Sequence, residues 1–208
     1  MKADFRIITS LAMSSSSEKR IAAALYRRDP ISSDPRTRRL YKHEAYHWGI
    51  LIIQGDVYDE YEATDRNNID PVTFRQENPA QKWFLHTGQS VDPSRNGQLL
   101  GRIIIGSIPS NKSKDDVKTL LDKVPLPIRN QAPQQSCVTW VANAIRTFHE
   151  AQFVPEFDVG EFLDWGLSYA DKRLKDSEMT PGIVYYEEGV KSKEEDGMGR
   201  EEKRKREK

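Results

Sequence analysis

The sequence predicts a single α+β domain in which a small antiparallel sheet packs on the helix that carries the one cysteine. Strand-like segments come first along the chain and helical periodicity follows, an order that favours the α+β class. The chain has 208 residues, the length of one ordinary domain. Its charged fraction of 31% exceeds the roughly 25% of average globular chains, so part of the chain is expected to lie outside the core.

The strands are predicted from apolar or alternating segments. His47–Ile53 is an apolar run that ends at a Gln-Gly-Asp turn, and Val57–Ala63 alternates and is expected to return beside it as a hairpin. Residues 64–82 show no clear periodicity. Trp83–Leu85 is a short candidate strand. Gly101–Ile108 contains three consecutive isoleucines, which indicates a strand buried on both faces.

Three helices follow. Asp115–Val124 is preceded by Ser113, a suitable N-cap, and is stopped by two nearby prolines. Ser136 is expected to cap a second helix, whose apolar residues recur at 137, 138, 141, 145 and 148 with the 3.6-residue period. The third helix is predicted from about Val159 to Leu174.

Charge is segregated along a chain whose formal net charge is zero. Residues 18–42 carry eight basic and three acidic side chains, a net charge of +5, and the C-terminal residues mix both signs with almost nothing apolar. Such runs are usually solvated chain, and the alternative is a surface for a phosphate backbone. We therefore predict three parts: a disordered, basic segment over 1–40, a catalytic domain over 41–187, and a disordered, charged tail over 188–208.

Several classes of protein are excluded by composition and motif. One cysteine rules out an internal disulfide and a Cys-rich zinc site. No residues show the spacing of a metal-ligand motif, so a metal is not expected. No Gly-rich segment carries the lysine of a phosphate-binding loop, so a nucleotide cofactor is not expected either. No apolar run approaches a membrane span, and the N-terminus does not read as a signal peptide. The expected location is cytoplasmic.

Cys137 is predicted at the first position of its helix. Unpaired N–H groups and the helix dipole stabilise an anion there, which lowers a thiol pKa and produces a nucleophilic thiolate. The alternative is a small core residue, because free cysteine is among the most buried residue types. Trp140, one turn later, either walls a thiol pocket or fills the core.

His47 is the candidate base for that thiol, because it opens a predicted strand where an imidazole can accept and return a proton. An acidic third residue would orient the ring. Asp59, Glu60 and Glu62 on the return strand are candidates that spacing does not separate, and we take Glu62 as the working choice.

These residues carry a resemblance. His47-Trp48-Gly49-Ile50-Leu51, a hairpin, and then Gln135-Ser136-Cys137-Val138-Thr139-Trp140-Val141 resemble the permuted papain-like group, which includes NlpC/P60-related, lecithin:retinol acyltransferase-like enzymes. The similarity covers residues 45 to 140. Gly49 replaces the alanine and Ser136 the asparagine common in that group. The resemblance implies a permuted papain-like fold and acyl transfer through the thiol.

A second resemblance is to fungal arginine-containing cyclodipeptide synthases, which share an Asp-x-x-Glu element matched here by Asp158-Val159-Gly160-Glu161. Such enzymes join amino acids from aminoacyl-tRNA into a diketopiperazine in secondary metabolism. The resemblance implies Arg-tRNA as partner and an arginine pocket formed by Asp158, Glu161 and Asp164. The same residues also fit a helix cap, with Asp158 as N-cap and Glu161 three residues on.

The sequence is compatible with three functions. The leading hypothesis is an aminoacyltransferase of the cyclodipeptide synthase type, with Cys137 as nucleophile, His47 as base and Trp140 beside the substrate. Four arginines of the basic segment would contact tRNA phosphates: Arg27, Arg28, Arg38 and Arg39. The alternatives are a thiol peptidase, amidase or lipid acyltransferase, and a non-catalytic interaction module.

Overall fold

The computed structural model describes residues 18–90, 97–175 and 182–186. The strands are β1 Lys19–Arg27, β2 Tyr46–Gln54, β3 Val57–Thr64, β4 Phe84–Ser90, β5 Leu99–Ile108 and β6 Gly182–Tyr185. The helices are α1 Pro35–Tyr41, α2 Lys114–Leu121, α3 Cys137–Glu150 and α4 Val159–Lys175, and a 3-10 turn occupies Lys42–Ala45. The predicted α+β class is confirmed.

The six strands form one mixed sheet in the order β4-β3-β2-β1-β5-β6. All neighbouring pairs are antiparallel except β5 and β6, which are parallel. The predicted β2–β3 hairpin is present, with Gln54 opposite Val57. β4 extends further than the expected Trp83–Leu85, and β6 has no counterpart in the prediction.

β1 is the main difference from the sequence prediction, which assigned residues 1–40 to a disordered, basic segment. The strand lies between β2 and β5, and its five central residues, Ile21 to Leu25, are fully buried. Its basic residues flank this apolar centre, so a charge count over 18–42 hides the strand. Residues 35–41 form α1, and the ordered domain therefore begins before residue 41. The parts of the disorder prediction over 1–17 and 188–208 lie outside the described residues.

The main core lies between the sheet and the helices. Trp48 of β2 makes an edge contact with Phe162 of α4, and Trp140 and Phe148 of α3 are fully buried in the same cluster. A Cβ added at Gly166 would meet the Trp48 ring at 2.6 Å, so the glycine allows α4 to approach the sheet closely. A second, smaller cluster on the other face of the sheet includes Leu51.

Candidate active site

Cys137 occupies the first position of α3 because Ser136 forms a capping box. The Ser136 side chain accepts from the Val138 N–H, and the Thr139 hydroxyl accepts from the Ser136 N–H. Cys137 is only 2% exposed. The side chain of His47 and the backbone N–H of Trp48 lie close enough to the thiol to lower its pKa. Cys137 is therefore both buried and close to a histidine.

His47 lies near the start of β2, where this strand is not yet paired with β3. The β2–β3 ladder begins at Ile50 opposite Tyr61, so the first residues of β2 lie beyond it. Side chains alternate along a strand, and Trp48 faces the helices, so His47 projects from the other face. The thiol and the imidazole nevertheless lie near each other at this end of the sheet, since each shifts the pKa of the other.

Glu62 is the carboxylate that orients His47. The Nε2 of His47 lies 2.5 Å from an Oε2 of Glu62, which leaves Nδ1 as the ring nitrogen for the thiol. The side chains of His47 and Glu62 are 22% and 16% exposed. Asp59 instead pairs with Lys114 at 2.6 Å and accepts from Gln89. The structure thus joins Glu62, His47 and Cys137 in one chain of contacts.

The contacts shift all three pKa values in the direction that favours charge. Burial alone would lower the pKa of His47, but the Cys137 thiol and the Glu62 carboxylate outweigh it and raise the pKa to about 10. Burial would raise the pKa of the Cys137 thiol, but His47 and the Trp48 N–H lower it. Burial opposes ionisation of Glu62, and His47 reverses this and lowers its pKa. The shifts of Cys137 and His47 both favour the thiolate and the imidazolium over the neutral pair.

Arg28 adds positive potential from the end of β1. Its charge contributes to the lowered pKa of Cys137. The side chain is held by a 2.7 Å hydrogen bond from Nη1 to the Glu44 carbonyl, and the Ser32 hydroxyl accepts from the Arg28 N–H. Sequence reasoning selected Arg28 for tRNA and missed this relation to the thiol, because the proximity depends on the β1–β2 pairing.

The other predicted arginines are placed as follows. Arg27 pairs with Asp29 at 2.6 Å, and Arg38 contacts Asp171 of α4 at 3.5 Å. Arg39 is exposed on α1. Arg27 and Arg38 thus take part in contacts within the domain.

The acidic element lies at the opposite end of α3 from the thiol. Asp158 accepts from the Glu161 N–H at 2.8 Å, as a helix cap does. Its neighbour Phe157 makes an edge contact with His149, in the last turn of α3. The 14 residues of α3 span about 21 Å at about 1.5 Å each. The structure therefore does not bring Asp158 and Glu161 together with Cys137.

Two remaining predicted residues have structural contacts. Asp164 is exposed and pairs with His43 at 2.9 Å. Trp140 is fully buried in the main core. Sequence reasoning missed the Trp48 N–H as a group that lowers the thiol pKa, because residue type gives no signal for a backbone group.

No cluster of three or more His, Cys, Asp or Glu suited to a metal ion is found among the described residues. In the same part of the chain, no helix combines the length and apolar character needed to cross a membrane. A family model, described as a family of unknown function (DUF6914), matches residues 18–173. Comparisons with curated proteins and with solved structures found no match.

Proposed function

The chain belongs to DUF6914, a family of unknown function, and from its site we propose that it is a thiol-dependent acyl-transfer enzyme. One observation carries the proposal: the only cysteine, a histidine and a buried glutamate form a continuous chain of contacts at a helix N-terminus. A non-catalytic module has no need of this arrangement, whose charges cost free energy to bury.

In the proposed reaction, the Cys137 thiolate attacks the carbonyl carbon of an ester, thioester or amide. A C–S bond forms, the bond to the leaving group breaks, and the His47 imidazolium donates its proton to that group. A second nucleophile then attacks the thioester, gives its proton to His47 and releases the thiolate. Glu62 holds the ring throughout, and the Cys137 N–H at the first helical position is a donor for the oxyanion.

The acceptor in the second step divides the candidate activities. Water makes the protein a hydrolase of the NlpC/P60 type, whereas an amine makes it a transferase. The cyclodipeptide synthase hypothesis is a special case with aminoacyl-tRNA as donor. It needs acidic groups for the arginine side chain near the thiol, whereas Asp158 and Glu161 lie at the far end of α3, a helix about 21 Å long. The general acyl-transfer proposal does not depend on that element.

The experiment is to trap the covalent intermediate. The purified protein is mixed with p-nitrophenyl acetate, quenched in acid and analysed by intact and peptide mass spectrometry. Acetylation confined to Cys137, with a burst of nitrophenol, is expected for the wild type. The variants Cys137→Ser and His47→Gln should lose the burst. Acetylation of lysines alone, at equal rates in all three proteins, would contradict the proposal.

A further inference from the structure

A cavity of about 300 Å³ lies at the same end of the sheet as the three site residues. Its wall includes Gln135, two residues before the nucleophile, and Asp65, three residues after Glu62. Trp83 contributes an aromatic side chain. The volume is at the lower limit of small-molecule pockets, roughly 300–1,000 Å³. The position suits the acyl part of a substrate whose carbonyl reaches Cys137.

Side-chain amides dominate the lining. The four that contribute are Asn130, Gln131, Gln134 and Gln135. Each primary amide offers an acceptor oxygen and two N–H donors. One is already committed, because Gln135 Oε1 accepts from the Ile128 N–H at 2.9 Å, which fixes that side chain against the wall. Such a surface matches a ligand that also alternates donors and acceptors.

The ionic groups of the cavity neutralise each other. Arg129 and Asp65 are 2.9 Å apart, and the same guanidinium nitrogen donates to Gln81 at 2.9 Å. An arginine substrate would have to compete with Arg129 for Asp65, and a carboxylate would have to compete with Asp65 for Arg129. The cavity therefore favours an uncharged ligand.

We propose that this cavity binds a short, uncharged, amide-rich acyl group and presents it to Cys137, with a flat part of the ligand against Trp83. The inference rests on the proposed thiol chemistry and adds the substrate class. The cavity differs in location and charge from the arginine pocket that the second resemblance implies at Asp158, Glu161 and Asp164.

The test uses the rate of Cys137 alkylation by reagents that share one warhead. In each reagent the thiolate displaces chloride and a C–S bond forms. The four reagents are 2-chloroacetamide, chloroacetyl-glycyl-glutaminamide, chloroacetyl-glycyl-argininamide and the corresponding glutamate probe. We expect the neutral glutaminamide probe to react in a saturable manner, about tenfold faster than bare chloroacetamide, which corresponds to about 1.4 kcal/mol. The charged probes should gain less.

Two variants locate the effect. Gln131→Ala and Gln134→Ala, both at exposed positions of the wall, should reduce the ratio of the glutaminamide rate to the chloroacetamide rate. Asn143→Ala, which removes an amide from α3 outside the cavity, is the matched control and should keep the ratio. A ratio near one in the wild type, a preference for the arginine probe, or equal ratios in all variants would overturn the inference.

The bare reagent separates this inference from the proposed function. If 2-chloroacetamide labels Cys137 readily well below pH 8.5, the approximate pKa of a free thiol, the activated thiol stands even where the probe ratio is one. If it labels Cys137 only at higher pH, the thiol chemistry fails and the substrate assignment fails with it.

Discussion

Replacing Glu62 with Gln removes one charge beside His47 and keeps a side chain of similar shape. The two groups are 2.5 Å apart and mostly buried, so solvent screens their interaction weakly. An opposite charge within about 4–6 Å shifts a pKa by about 1–3 units, and each unit is about 1.4 kcal/mol. The variant should therefore lose about 1.4–4 kcal/mol of support for the imidazolium, and the Cys137 thiolate becomes harder to form.

The assay is the rate of iodoacetamide alkylation of Cys137 as a function of pH. In the wild type the rate should rise with pH through the lowered pKa of the thiol. In Glu62→Gln the midpoint should move upward, toward the free-thiol value of about 8.5, because an imidazolium whose own pKa has fallen stabilises the thiolate less. Glu60→Gln makes the same chemical change two residues away and should leave the midpoint in place. Superimposable profiles for Glu62→Gln and the wild type would refute the orienting role of Glu62.

Two further predictions test Arg28 and the packing of β5. Arg28→Gln should raise the midpoint of the same alkylation profile by less than about one unit, since exposed charges interact weakly. Arg39→Gln on α1 is the control and should not move the midpoint. Equal shifts in both variants would show that Arg28 does not act on the thiol. Gly106→Ala should lower the free energy of unfolding by about 1–3 kcal/mol in a denaturant titration, because the added Cβ would lie 2.4 Å from the Phe153 carbonyl oxygen. An unchanged denaturation midpoint would contradict this packing.

The parts of the site that sequence predicted depend on local signals. Ser136 before an apolar helical period marks a helix start, and this alone puts Cys137 at the first position of α3. His47 was found because it opens an apolar run. Cys137 follows His47 by 90 residues, so no local signal shows that the two side chains meet. That prediction came from the order of the His and Cys motifs, which resembles the order in the permuted papain-like group.

Other parts depend on tertiary contacts. Glu60 and Glu62 both alternate away from the helices on β3, and only the position of the His47 ring distinguishes them. β1 was hidden because its burial comes from β2 and β5 on both sides, which a local charge count does not reveal. The distance between Asp158 and Cys137 follows from the length of α3 once α4 begins beyond its far end.

We propose that Cys137 is a thiolate paired with the His47 imidazolium. Because the chain has one cysteine, the ultraviolet absorbance of the thiolate, measured against pH and corrected with Cys137→Ser, reports on this residue alone. We expect a midpoint well below the free-thiol value of about 8.5, and a return toward that value or above it in His47→Gln. A wild-type midpoint at or above about 8.5 would show that the thiol is not activated.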